Sequence, residues 1–147
     1  MAARQLKTQH AAPAVFSWPV RVYYEDTDAA GVVFYANYLN FMERARTEWL
    51  RALGFEQTAL RHDHNVIFVV RALAVEYLQP ALFNDELAAT VALKNARGGL
   101  LEIAQTIQRG AHTLVTAEVK VACINTRSFK PVRIPQPILE KLAMGQA

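Results

Sequence analysis

Between residues 15 and 24 the side chains alternate, so that Phe16, Trp18, Val20, Val22 and Tyr24 fall on one face. A period of two predicts a strand. Pro19 cannot donate to a strand ladder and points to an edge strand or a strand start. The acidic stretch Glu25-Asp26-Thr27-Asp28-Ala29-Ala30-Gly31 then breaks the pattern. From about Tyr35 to Leu53 the period lengthens: Tyr38, Phe41, Met42, Ala45, Trp49, Ala52 and Leu53 recur at steps of three and four. That predicts one amphipathic helix of about five turns, with Glu43, Arg44, Thr47 and Arg51 on its polar side. Asn37 is the expected N-cap and Gly54 the expected stop. Arg44 and Glu48 are spaced to pair one turn apart, for tenths of a kcal/mol.

The remainder is rich in strands. A short helix is expected over Glu56 to Arg61, followed by a nearly continuous apolar, β-branched run from Val66 to Tyr77. Such a run predicts a strand covered on both faces. Further strands are expected at Leu87–Leu93, Leu100–Gln108 and Thr113–Asn125, the last being the longest. Arg97-Gly98-Gly99 and Gly110 supply the turns. Pro131, Pro135 and Pro137 mark an irregular segment, and Ile138–Met144 a short closing helix. A strand, a long helix and a run of strands joined by short turns indicate an α+β domain, an antiparallel sheet with one helix on a face. No repeat, linker or second domain is apparent, so residues 15–147 read as a single domain behind a flexible leader, 1–14.

Composition narrows the function classes. The chain has 147 residues and is 52% apolar, enough for a core. Its net charge is +3, from 16 basic and 13 acidic residues. That suits a site that meets phosphates. The basic residues are scattered, with no basic run or helix face, which argues against a nucleic-acid binder. One cysteine, Cys123, allows no intrachain disulfide, and its alternating neighbours mark it as a small buried side chain. No apolar run approaches the ~18 residues needed to cross a bilayer. Met1–Ala14 lacks the apolar segment of a secretory signal, so the expected location is the cytoplasm.

The chemistry lies in the acidic turn. It precedes a helix whose first turn has unpaired N–H groups and the positive end of a dipole. Such a place can hold an oxyanion, and a carboxylate beside it can serve as base or nucleophile. The plainer alternative is an ordinary turn, since Asp favours turns and caps. Val32-Val33-Phe34 either walls a pocket or belongs to the core.

The lines Trp-Pro-Val-Arg-Val-Tyr-Tyr-Glu-Asp-Thr-Asp from Trp18 and Glu-Arg-Ala-Arg-Thr-Glu from Glu43 resemble the 4-hydroxybenzoyl-CoA thioesterase family, most closely its subfamily linked with the Tol-Pal cell-envelope system. Phe68-Val69-Val70-Arg71 and Val75-Glu76-Tyr77 extend the likeness, which covers roughly residues 16 to 135. The resemblance implies a hotdog fold, in which the sheet wraps the long helix. It implies an acyl-CoA thioesterase that needs no cofactor, forms a homodimer or homotetramer, and shapes each site from two subunits. It makes Asp28, second in Asp-x-Asp, the catalytic carboxylate, either attacking the thioester or activating water. It makes Tyr35, seven positions later, the donor of a backbone N–H to the thioester carbonyl. Arg97 and Gly98 resemble the basic turn that meets the nucleotide end of coenzyme A, with Lys94, Lys130 and Arg133 as further positive charge. Arg71 is a further candidate substrate contact. The subfamily usually carries glycine and histidine where this chain has Ala30 and Tyr35. A backbone N–H survives either change, whereas any role for an imidazole does not.

Other readings bear on the same residues. Asp26 and Glu25 read as turn or solvent groups. Arg71, on an apolar strand, calls for an ion pair with Glu76 or across a dimer if it is buried. His62-Asp63-His64 suggests a metal site, but two histidines without a third ligand favour a polar loop. A dehydratase acting on acyl carrier protein would need a histidine base that the acidic turn lacks. An acyl carrier protein thioester remains an alternative substrate to acyl-CoA. The non-enzymatic alternative is an acyl-binding or cell-envelope interaction module.

Overall fold

The computed structural model describes residues 14–145. The leader expected over Met1–Ala14 therefore lies outside the described residues, apart from Ala14. Five strands, β1 (Val15–Arg21), β2 (Val66–Tyr77), β3 (Glu86–Arg97), β4 (Leu100–Arg109) and β5 (His112–Asn125), form one sheet in the order β1-β3-β4-β5-β2. Every neighbouring pair is antiparallel. The helices are α1 (Asn37–Ala52), α2 (Gln57–His64) and α3 (Gln136–Gly145), and a single 3₁₀ turn covers Tyr24–Asp26. The sheet wraps α1, which packs on β3, β1 and β4. This is the expected α+β hotdog architecture.

Alternation on the strands explains the core. Leu101, Ile103, Gln105 and Ile107 of β4 and Leu87, Ala89, Val91 and Leu93 of β3 point inward. They meet Tyr38, Phe41, Met42, Ala45, Trp49 and Leu50 of α1. Pro19 sits in register with Ala88 and is tolerated because β1 is an edge. Gly54, with φ of 96°, ends α1 as expected. Gly99 is required by close approach, because a Cβ there would collide with the Val132 carbonyl. Pro137 stands in the first turn of α3, where a missing N–H costs nothing.

Several expectations are corrected. Helix α1 begins at Asn37 rather than Tyr35, with Ala36 in the N-cap position and no side-chain cap. Asn37 is already helical and its amide is turned elsewhere. On the buried face Leu50 replaces Ala52, because 3.6-residue periodicity carries the seam around the helix toward its end. Glu48 pairs with Arg51 at 2.8 Å rather than with Arg44, whose guanidinium lies 5.8 Å from the Phe41 ring centroid. His62, Asp63 and His64 fall in the last turns of α2, not in a loop. No group of three metal-ligating side chains forms among the described residues.

The largest departure concerns β2. Its apolar sequence predicted a strand covered on both faces, yet most of it is exposed in the single chain, with Val70 and Leu73 each 43% accessible. The strand lies at the sheet edge, hydrogen-bonded to β5 alone. Arg71 occupies a β-bulge between Val70 and Ala72, is exposed, and has no ion pair with Glu76.

Candidate active site

The acidic turn is a small, tightly bonded hairpin. An isolated bridge pairs Thr27 with Val33, the Asp28 N–H donates to the Val32 carbonyl at 2.9 Å, and the Gly31 N–H donates to the Asp28 carbonyl at 3.0 Å. Gly31, at φ of 80°, takes the left-handed conformation the return requires. The Asp28 carboxylate accepts the Ala30 N–H through Oδ1 at 2.8 Å. This Asx-type turn fixes the side chain and leaves Oδ2 without a hydrogen-bond partner among the described residues. The Asp28 side chain is exposed in the single chain.

Asp26 has a different role, and the sequence reading missed half of it. It belongs to the turn but is 7% exposed rather than solvated. Its Oδ2 accepts the Tyr23 N–H at 2.8 Å, and its Oδ1 accepts the Asn37 amide at 2.7 Å. Its carbonyl accepts the Phe34 N–H at 2.9 Å. One carboxylate thus ties the end of β1 to the first residue of α1 across the hairpin that carries Asp28. The Asn37 amide nitrogen donates to this tie, and Asn37 does not cap the helix because it already stands one residue inside it.

Tyr35 lies just ahead of α1, and its N–H meets no acceptor among the described residues. Its carbonyl accepts the Tyr77 hydroxyl at 3.0 Å. Tyr77 also meets the rings of Tyr35, edge-on with centroids 6.3 Å apart, and Tyr38, at 5.7 Å. The Tyr38 hydroxyl accepts the Ala81 N–H at 2.9 Å. Desolvation pushes both the Tyr38 and Tyr77 phenols above the ordinary tyrosine value. A hollow of about 240 Å³ opens beside them, walled by Val33, Tyr35, Tyr38, Tyr77, Leu78 and Pro80. Val33 is core and Phe34 is exposed, so Val32-Val33-Phe34 is partly wall and partly packing.

The structure does not bring all the candidate residues together. Arg97 and Gly98 form the β3–β4 turn, held from below where the Ile134 N–H donates to the Gly98 carbonyl at 2.8 Å. Arg97 pairs with Leu100, Leu100 with Ala122, and Ala122 with Val69. Tyr77 stands eight residues further along β2, a separation of about 25 Å at 3.3 Å per residue. Asp28 and Tyr35 are therefore at one end of the sheet, and Arg97 and Gly98 at the other. Arg71 lies between, on the free edge.

With this geometry in view, the family model described as the thioesterase-like superfamily matches residues 22–142. This chain belongs to that superfamily. It is 45% identical over 123 residues to the acyl-CoA thioesterase YbgC of Haemophilus influenzae, covering 84% of this chain and 90% of that one. It is 47% identical over 126 residues to the acyl-CoA thioester hydrolase YbgC of Escherichia coli, covering 85% and 93%. Among solved structures, a probable thioesterase from Bartonella henselae superposes with a TM-score of 0.80 at 38% identity, covering 83% of this chain and all of that one. Likeness at this level, over the segment that includes the acidic turn, places the chain with the YbgC proteins within the superfamily.

Proposed function

We propose that this chain hydrolyses an acyl-coenzyme A thioester to the free acid and coenzyme A, with the Asp28 carboxylate as nucleophile or general base. The supporting observation is the hairpin that holds an exposed carboxylate just ahead of a helix start with no side-chain cap, where the Tyr35 N–H has no acceptor among the described residues. A thioester carbonyl there meets a donor and the positive end of the α1 dipole, while the aromatic hollow takes apolar parts of the substrate. One such donor contributes about 3 kcal/mol to stabilising an oxyanion. Asp28 then either forms a mixed anhydride or draws a proton from water. The names of the YbgC relatives point to the same chemistry.

The reading includes a second copy of the chain. The free edge of β2 is 12 residues long, apolar and exposed, which is the kind of edge that pairs with another strand. Antiparallel pairing of β2 with its own copy about a two-fold axis sets the Tyr77 end of one protomer beside the Val66 end of the other. Arg97, Gly98 and Arg71 of one protomer then approach Asp28 and Tyr35 of its partner, where they serve the phosphates of coenzyme A. A dimer is the minimal unit, and a tetramer is a pair of such dimers. The cytoplasm is the proposed compartment, and the relation to the Tol-Pal system rests on the resemblance alone. No described helix is long and apolar enough to cross a membrane.

The test is release of free coenzyme A by purified protein from acyl-CoAs of graded chain length. Saturable release supports the reading. A folded oligomer that releases none at any length refutes it and leaves an acyl-binding module. Mixing Asp28→Asn with Arg97→Ala tests the shared site, because heterodimers regain one site with both the carboxylate and the low KM, a combination that neither variant alone has.

A further inference from the structure

The Tyr77 hydroxyl makes a polar contact to which thioester hydrolysis by Asp28 and Tyr35 gives no role. It donates to the Tyr35 carbonyl at 3.0 Å, across 42 residues of sequence. Helix α1 sends this carbonyl no backbone donor. The Leu39 N–H, four residues on, goes to the Ala36 carbonyl instead at 3.1 Å. The phenol therefore stands where a helical N–H would. Tyr77 is itself anchored: its backbone pairs with Val115 of β5, and the N–H groups of Leu78 and Gln79 donate to the Leu114 carbonyl at 2.8 and 3.1 Å. Its ring lies edge-on to Tyr35 and tilted against Tyr38, with centroids 6.3 and 5.7 Å away.

Two peptide planes meet at the Tyr35 Cα. The first holds the Phe34 carbonyl and the Tyr35 N–H in one rigid unit. The Asn37 N–H donates to that carbonyl at 2.8 Å and fixes this plane from the helix side. The second plane holds the Tyr35 carbonyl, and among the described residues only the Tyr77 hydroxyl bonds to it. With the second plane free, residue 35 rotates about its own dihedrals and its N–H swings. A donor to an oxyanion is effective because it is fixed before the charge develops. A misplacement of about 1 Å costs on the order of a hundredfold in rate. We propose that Tyr77 is a positioning residue for thioester hydrolysis: its hydroxyl locks the Tyr35 peptide to the sheet, so that the Tyr35 N–H keeps its aim at the thioester carbonyl. The proposal rests on the thioesterase reading and adds to it the strand residue that holds the donor.

Tyr77→Phe removes the hydroxyl and keeps the ring. The expected result is a kcat for acyl-CoA lowered about tenfold or more, with KM within about twofold of the wild type and the oligomer retained. A hydroxyl with a merely structural role would lower the melting temperature and leave kcat alone. Selective 15N labelling of the five tyrosines gives a second readout. The Tyr35 amide, assigned by its loss in Tyr35→Phe, should show the order parameter of rigid backbone in the wild type, about 0.85, and fall toward about 0.6 in Tyr77→Phe. The Tyr23 amide, held by Asp26, should keep its order in both. An unchanged kcat overturns the proposal. So does a raised KM at constant kcat, which would make the hydroxyl a substrate contact. A lowered kcat beside a Tyr35 amide that stays ordered overturns it too, because the hydroxyl would then act on the reacting atoms directly. A wild-type Tyr35 amide that is already mobile overturns it without recourse to a variant. The amide measurement needs no hydrolysis, so failure here and failure of the thioesterase reading are distinct results.

Discussion

The two ends of the sheet are built in opposite ways. At the α1 entrance, the hairpin carrying Asp28 is closed by hydrogen bonds within about a dozen residues, and Asp26 joins β1 to α1 with both carboxylate oxygens. At the far end lie Arg97 and Gly98, separated by β4 and β5 from the free edge of β2, whose apolar side chains face solvent. The first region is finished by its own chain. The second is a surface that a single chain leaves uncovered. A site that divides this way separates reacting groups, which need rigid local geometry, from recognition groups, which an oligomer can supply.

Four substitutions break or sharpen this contrast. Asp28→Asn has the largest expected effect: turnover falls about a thousandfold with an unchanged melting temperature. Asparagine keeps an oxygen for the Ala30 N–H, so steady-state kinetics and thermal melts on one preparation decide it. Leu73→Asp comes next. A charge on the exposed face of β2 opposes self-pairing, so light scattering should report monomers and hydrolysis should be lost with the fold retained. A dimer of wild-type activity would dissolve the contrast.

Asp26→Ala strips a buried acceptor from the Tyr23 N–H and the Asn37 amide. The expected loss is about 3 kcal/mol by denaturant titration, and an unchanged midpoint would show that the tie is incidental. Arg97→Ala has the smallest effect. KM for acyl-CoA should rise about tenfold at nearly constant kcat, while a pantetheine thioester lacking the nucleotide should be indifferent. A fall in kcat instead would move Arg97 into the reacting centre.

Much of this molecule is legible in one dimension. The helix, all five strands and the glycine turns follow from hydrophobic period and turn chemistry, which are local. The carboxylate at position 28 was picked out by a motif of eleven consecutive residues, because the hairpin is itself a local structure. The misreadings involve partners distant in sequence. Asn37 reads as a cap by residue type, whereas the helix has Ala36 in that position and the Asn37 amide nitrogen reaches Asp26, eleven residues back. Gln105 shares the face of Leu101, Ile103 and Ile107, so alternation points it inward, but no local pattern shows that it lies beneath Arg46, 59 residues away. The apolar run of β2 reads as interior, whereas the sheet order leaves it on an edge.

The sequence by itself determined the family, the α+β class and the carboxylate proposed for the reaction, because periodicity, turns and a contiguous motif are written along the chain. Tertiary structure alone decided that Asp26 is a buried tie and that the Tyr77 hydroxyl holds the Tyr35 carbonyl. It also decided that Arg97 stands about 25 Å of strand away from Tyr77. Those facts depend on which strands pair and in what register. Pairing is a choice among long-range contacts that no local pattern of residues encodes.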